Sequence, residues 1–286
     1  MVHLVMLLHS VISAGTYLAA KRALGELSPF EVALARFTLA GLVFGLLLWS
    51  RHVRIERRDL LGLGLLGFVA VPLNQGFFLA GLAWSTPGHA ALLYALTPIF
   101  VFLFARVRLG ERATALKVLG IGVAFAGVLV VLGARGSVAL GGSSRMLAGD
   151  LLMLLAVVAW AIFAVGGKVY AERYGPVVST SAAIVAGTVL YLPVGFVASD
   201  LHRFARLSPA GWAALLYLVV FTSVVAYLLY YWSLARAEAS RVAIWSNLQP
   251  VLTALLAWGL YGDRLTGPFL AGGAMVLAGV VLTERG

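Results

Sequence analysis

Apolar residues run nearly unbroken along the chain, and charged or turn-forming residues interrupt them at regular intervals. The apolar segments fall at 2–20, 30–50, 60–83, 87–107, 115–133, 148–168, 177–198, 210–235, 239–260 and 266–283. A bilayer core about 30 Å thick needs about 20 largely apolar residues per helix, so ten such spans use up almost the whole chain. The segments are continuously apolar rather than alternating, and backbone amides in lipid must be satisfied internally. Helices are therefore expected, and barrel strands are not. The predicted class is an all-α polytopic membrane protein.

The pattern also repeats. LTPIFVFLFARVRLGER begins at residue 96 and LQPVLTALLAWGLYGDR at residue 248, an offset of 152 that also aligns Pro98 with Pro250, Gly110 with Gly262, Glu111 with Asp263 and Arg112 with Arg264. Gly120 and Gly127 match Gly272 and Gly279 at the same offset. Earlier positions align at offset 147: Lys21 with Lys168, Pro29 with Pro176 and Ser13 with Trp160. The longer loop SDLHRFARLSPAGW absorbs the five-residue difference. Each half, 1–134 and 148–286, thus carries five predicted spans, and an odd number inverts the second copy relative to the first. Inverted repeats are a signature of secondary transporters, whose substrate site lies near the midplane where the copies meet.

Composition agrees: 62% of residues are hydrophobic, 11% are charged and the mean hydropathy is +1.00. An average soluble domain is about a quarter charged. The net charge of +10 does not form a patch interleaved with exposed aromatics, so nucleic acid is not an expected partner. With the N-terminus inside, the connections place 13 Lys and Arg on the inner side and 7 on the outer side, which predicts both termini in the cytoplasm. MVHLVMLLHSVISAG lacks a basic leader and its apolar run continues to Ala20, so a retained first helix is expected. The absence of cysteine removes disulfides and thiolate metal sites.

The matched L-x-P stretches with their Gly-acid-Arg endings, and the glycine-spaced fifth and tenth segments, resemble the drug/metabolite transporter superfamily, EamA family, over essentially the whole chain. The short loops and aromatic midsections are similar to those of its aromatic and neutral amino-acid exporters. The resemblance implies a ten-helix fold and a small-molecule substrate.

The candidate site is read from polar and aromatic positions inside the spans. Pro98 and Pro250 each remove a backbone hydrogen bond and clash with the preceding turn, bending the fourth and ninth helices. Tyr94 and Thr97 precede the first proline; Trp245, Ser246, Asn247 and Gln249 precede the second. These residues either line a cavity or hold helices together by hydrogen bonds. In the first helix His9, Ser13, Thr16 and Tyr17 form a polar stripe, and the counterparts of Ser13 and Thr16 are Trp160 and Phe163. Trp160 suits a planar or apolar substrate side chain, its alternative being core filling. Asn74 and Gln75 lie deep in the third span beside Phe78, with Tyr227 and Tyr230 at the matching positions of the eighth. An amide pair can bind a zwitterion without burying a permanent charge, or can bridge helices.

No Asp or Glu falls in the middle of a predicted span. His3, His9 and His89 are the titratable candidates there, and Arg36 lies where it can snorkel outward or meet a substrate carboxylate. Lys21 and Lys168, at matched ends of the first and sixth helices, have the same two readings: interfacial cations, or gate or substrate contacts. The glycine faces, including Gly41 and Gly45, are expected to pack helices within one chain, leaving a monomer or weak homodimer. Neither an H-x-x-x-H pattern nor a membrane carboxylate pair is present, so an intramembrane enzyme is disfavoured, and no cofactor or metal is expected. The reading is a secondary transporter of the cell inner membrane that exports amino acids with aromatic or other apolar neutral side chains. Nucleobases, sugars or cationic compounds are the alternative substrates, and a channel is the lesser alternative.

Overall fold

The computed structural model describes residues 1–134, 144–261 and 267–286, and among these it is all helix with no strand. Among the described residues, seven helices are long and apolar enough to cross a membrane: α1 (Val2–Leu24), α2 (Pro29–Arg51), α3 (Arg57–Trp84), the stretch His89–Leu109, α7 (Ser144–Tyr174), α8 (Pro176–Val197) and α9 (Pro209–Leu234). His89–Leu109 is divided between α4 (Pro87–Tyr94) and α5 (Thr97–Leu109). Also helical are α6 (Ala115–Ala134), α10 (Ala239–Ala243), α11 (Leu248–Tyr261) and α12 (Gly267–Arg285). The second Gly-acid-Arg sequence, 262–264, lies outside the described residues.

Local chemistry sets the ends of these helices. Ser28 and Glu31 form a reciprocal capping box at the start of α2, with Pro29 in the first turn. Thr86 and Ser208 cap α4 and α9, again followed by proline. Gly110 ends α5 with φ +70°, a left-handed conformation that glycine adopts without a Cβ penalty.

Four interior irregularities shape the bundle. In α3 the segment Val69–Gln75, containing Pro72, is a π-helix, and Leu218–Ala226 of α9 is another. Such segments shift the phase of the side chains that follow. Helices α4 and α5 are separated by a turn at Ala95–Leu96, and α10 reaches α11 through a 3-10 turn, Ile244–Asn247. The sequence predicted each of these pairs as one bent span. His89–Leu109 is still one candidate span, and the helical pattern is interrupted before Pro98 and before Pro250 because a proline ring collides with the carbonyl four residues back. Those carbonyls belong to Tyr94 and Ser246.

Glycine contacts bind the elements. A Cβ on Gly120 would lie 2.7 Å from the Gly279 carbonyl, and one on Gly127 would lie 2.7 Å from that of Gly272. Helices α6 and α12 therefore cross with their backbones touching, within one chain. Gly41 faces Thr188 in the α2–α8 contact, and Gly67 meets Gly187 between α3 and α8. The ends of the chain are adjacent, with His3 3.6 Å from Glu284. Leu42, Leu46, Leu61, Val189 and Leu190 point outward, as a lipid-facing surface requires.

Candidate functional site

A cavity in the bundle is lined from nearly every element around it. Helix α1 supplies His9, Ser13, Thr16 and Tyr17; α2 Arg36; α3 Gln75 and Phe78; α4 Tyr94; α5 Thr97; and α7 Trp160. Thr222, Ala226, Tyr227 and Tyr230 come from α9, Ser246 from the 3-10 turn and Gln249 from α11. The breaks before Pro98 and Pro250 and both π-helices border this space, so the irregular backbone lies where it lines a cavity.

The rings form two groups, one from each half of the chain. Phe78 packs edge-on to Tyr94 at 5.6 Å between centroids, and Tyr17 meets both at 6.1 and 6.0 Å. From the second half, Trp160 lies 5.2 Å from Tyr230, 5.4 Å from Tyr227 and 5.7 Å from Phe163. Edge-to-face and tilted contacts at these separations hold aromatic walls in fixed orientations.

Polar groups run between the two walls. Tyr17 donates to Gln249 Oε1 at 2.9 Å, and the Thr16 and Thr222 hydroxyls are 2.9 Å apart. His9 Nδ1 lies 3.1 Å from the Ala226 carbonyl, which can only accept, so Nδ1 carries the hydrogen. Nε2 of a neutral His9 then accepts from Ser13 Oγ at 3.3 Å. Arg36 is 1% exposed. It donates from Nε to Ser223 Oγ and from Nη1 to Gln75 Oε1, both at 2.6 Å. Gln75 Nε2 in turn donates to Asn74 Oδ1 and, at 3.2 Å, to the Tyr227 hydroxyl. The amide is thus held at both ends. The Tyr230 hydroxyl and Thr97 Oγ1, both buried beside the cavity, have no hydrogen-bond partner among the described residues.

Four of the residues expected in the site lie off the cavity. Asn74 is fully buried and donates to the Ala156 carbonyl at 2.7 Å and to the Tyr94 hydroxyl at 3.4 Å, supporting Gln75 from behind. Phe163 is fully buried behind Trp160. Trp245 points toward the chain ends, donating to Glu284 Oε1 at 2.7 Å. Asn247 is fully buried and outside the lining, and its amide has no partner among the described residues.

Three lining residues, Arg36, Thr222 and Ala226, were missing from the expected set. The sequence allowed Arg36 either to snorkel outward or to meet a substrate carboxylate, and the structure turns it inward to Ser223 and Gln75. As the single Lys or Arg in the interior of a predicted span it carried a signal of its own, as did the Thr222–Ser223 pair in an otherwise apolar run. Among the described residues no group of three or more His, Asp or Glu could hold a metal ion.

Comparison with known proteins agrees with this architecture. The model of the EamA-like transporter family matches residues 1–133 and 147–285. An uncharacterized transporter of Archaeoglobus fulgidus is 31% identical over 283 residues, covering 98% of this chain and 96% of that protein. The uncharacterized inner membrane transporter YedA of Escherichia coli K12 is 28% identical, covering 96% of this chain and 87% of its own. A protein of Streptantibioticus cattleyicolor named "probable terminal-alkyne amino-acid exporter" is 29% identical, covering 89% of this chain and 83% of its own. A solved crystal structure, 21% identical, shares the fold with a TM-score of 0.81 over 99% of this chain and 96% of that one. The chain belongs to the EamA-like transporter family, and is a multi-pass membrane transporter rather than an enzyme.

Proposed function

We propose that this protein is a secondary transporter of the cell inner membrane that exports amino acids with aromatic or other apolar neutral side chains. In this reading ten helices cross the bilayer as two inverted five-helix repeats, 1–134 and 148–286, with both termini in the cytoplasm. Substrate sits in the cavity between the halves, and the halves rock around it to expose it to one face and then the other. The observation that carries the reading is the cavity itself: one aromatic wall from each half, with hydroxyl and amide groups between them. Such a site takes an apolar side chain against the rings and a polar head group between them.

The helix breaks at Ala95–Leu96 and Ile244–Asn247 support the rocking mechanism, since backbone interrupted beside a cavity is where a span can hinge. The glycine faces of α6 and α12 are used within the chain, which favours a monomer or weak homodimer. The relative named as an amino-acid exporter supports the substrate class.

Counterflow in proteoliposomes tests the reading. Phenylalanine and leucine inside the vesicle are expected to accelerate entry of labelled phenylalanine, in a saturable way. If nucleobases, sugars or cationic drugs do so and amino acids do not, the amino-acid assignment fails.

A further inference from the structure

We propose that Arg36 is the carboxylate receptor of the cavity, so that a carboxylate is an obligatory part of the substrate. This rests on the transport reading above and narrows its substrate class.

Arg36 differs from Lys117, the other fully buried cation among the described residues, and from Lys168. Lys117, whose side chain is 1% exposed, has Glu238 at 2.7 Å, and Lys168, at 12%, has Glu172 at 2.7 Å. Arg36 pairs with no carboxylate among the described residues; both its acceptors, Ser223 and Gln75, are neutral. A guanidinium offers five N–H donors. Nε and one Nη1 hydrogen are used, whereas Nη2 donates to no described residue. The group nevertheless lines the cavity.

The bonds it does make fix its position. Gln75 cannot rotate away without losing Asn74 and Tyr227, so its oxygen stays on Arg36, while Ser223 holds Nε from a different helix. A buried charge held by two neutral acceptors and, at 5.0 Å, the Phe37 ring, with donors to spare, is a site completed by an anion that arrives from outside. Guanidinium and carboxylate match as a planar two-point pair. With the carboxylate on Arg36, the aromatic walls receive the side chain, and the unpartnered Tyr230 hydroxyl and Thr97 Oγ1 remain to accept an ammonium group. The same charge acts against a cationic substrate, which would enter a cavity already carrying an unneutralised positive group.

The test is competition for labelled phenylalanine counterflow by phenylalanine, phenylalaninamide, phenethylamine and 3-phenylpropionate, in the wild type, Arg36→Lys and Arg36→Gln. In the wild type, the amide and the amine are expected to compete at least tenfold more weakly than phenylalanine, and 3-phenylpropionate to compete measurably. In Arg36→Gln the preference for acid over amide should collapse toward one, and Arg36→Lys should keep part of it. A wild type that does not distinguish phenylalanine from its amide overturns the proposal without any variant having to fold. So does an Arg36→Gln protein that keeps the wild-type ratio. If labelled phenylalanine shows no counterflow but direct binding of 3-phenylpropionate is lost in Arg36→Gln, the amino-acid assignment fails while the carboxylate receptor stands. If no carboxylate competes or binds, the receptor fails.

Discussion

Gln75 donates a hydrogen bond of 3.2 Å to Tyr227, the residue 152 positions later that is its own counterpart in the second half of the chain. When two copies are related by a two-fold axis, a residue can touch its counterpart only beside that axis. The crossing of α6 and α12 obeys the same geometry: Gly120 meets Gly279 and Gly127 meets Gly272, each pairing with the other's counterpart. In the proposed inverted repeat, Gln75, Tyr227 and the cavity they border would therefore lie beside the axis that relates the two halves.

Trp160 forms the centre of the second aromatic wall. Trp160→Ala removes a ring in contact with Tyr227 and Tyr230, and with it a surface for the substrate side chain. An aromatic contact contributes about 0.5–1.5 kcal/mol beyond its area, so a loss of about tenfold in flux at low substrate is expected. The variant should still elute as a monodisperse species from size exclusion. Unchanged uptake kinetics would remove Trp160 from the site.

Lys21 and Lys168 make equivalent bonds in the two halves. Lys21 Nζ donates to the carbonyls of Leu82 and Ser85, both at 2.8 Å, where α3 ends. Lys168 Nζ donates to those of Leu234 and Ala237, at 2.6 and 2.8 Å, where α9 ends. A cation at a helix C-terminus satisfies free carbonyls and complements the helix dipole. Lys21→Met and Lys168→Met should each cost about 1–2 kcal/mol, read as a lower Tm in detergent, with the double variant close to additive. Tm values unchanged in both would show that these bonds contribute nothing.

The glycine crossing predicts a position-specific effect. Gly120→Ala puts a methyl 2.6 Å from the Thr283 amide nitrogen and 2.7 Å from the Gly279 carbonyl, while Gly122 on the same helix has nothing within 4 Å. Gly120→Ala should destabilise by about 1–3 kcal/mol through overpacking. Gly122→Ala should be neutral or stabilising by up to about 1 kcal/mol, from helix propensity. Equal thermal shifts for the two would contradict the crossing.

Acid stability should depend on Glu26, in the connection between α1 and α2. The Ser208 backbone amide at 2.8 Å, then the Ser208 hydroxyl at 2.7 Å, outweigh partial desolvation, and with Arg22 hold the Glu26 carboxyl below its ordinary value of 4.5. A carboxylate depressed in the folded state contributes stability that is full above its unfolded pKa and is lost as pH falls through the folded value. The wild-type Tm should therefore drop more steeply than that of Glu26→Gln between about pH 5 and pH 3. Parallel curves would refute this.

The all-helical class and the seven long apolar helices were legible in the sequence because lipid forces a span to be apolar and long, so their positions needed no tertiary information. The lining of the cavity was legible where a polar or aromatic residue stood out within a span, as with His9, Tyr17, Gln75, Trp160 and Gln249. It failed between neighbours. Adjacent residues on a helix point about 100° apart, and the π-helix at Val69–Gln75 changes that phase, so Gln75 lines the cavity while Asn74 faces Ala156. The 3-10 turn similarly separates Ser246, which lines the cavity, from Trp245 and Asn247, which do not. Arg36 turns inward because of partners 39 and 187 positions away, a relationship that no local pattern encodes.

The central claim, that one cavity is opened alternately to the two faces of the membrane, is tested most directly at Ser246. The natural chain has no cysteine, so Ser246→Cys supplies a single thiol in the cavity lining. In membrane vesicles of either orientation, a membrane-impermeant thiol reagent should label it from both faces, and phenylalanine should slow both reactions. Labelling from one face only, or from both with no protection by phenylalanine, would contradict the account.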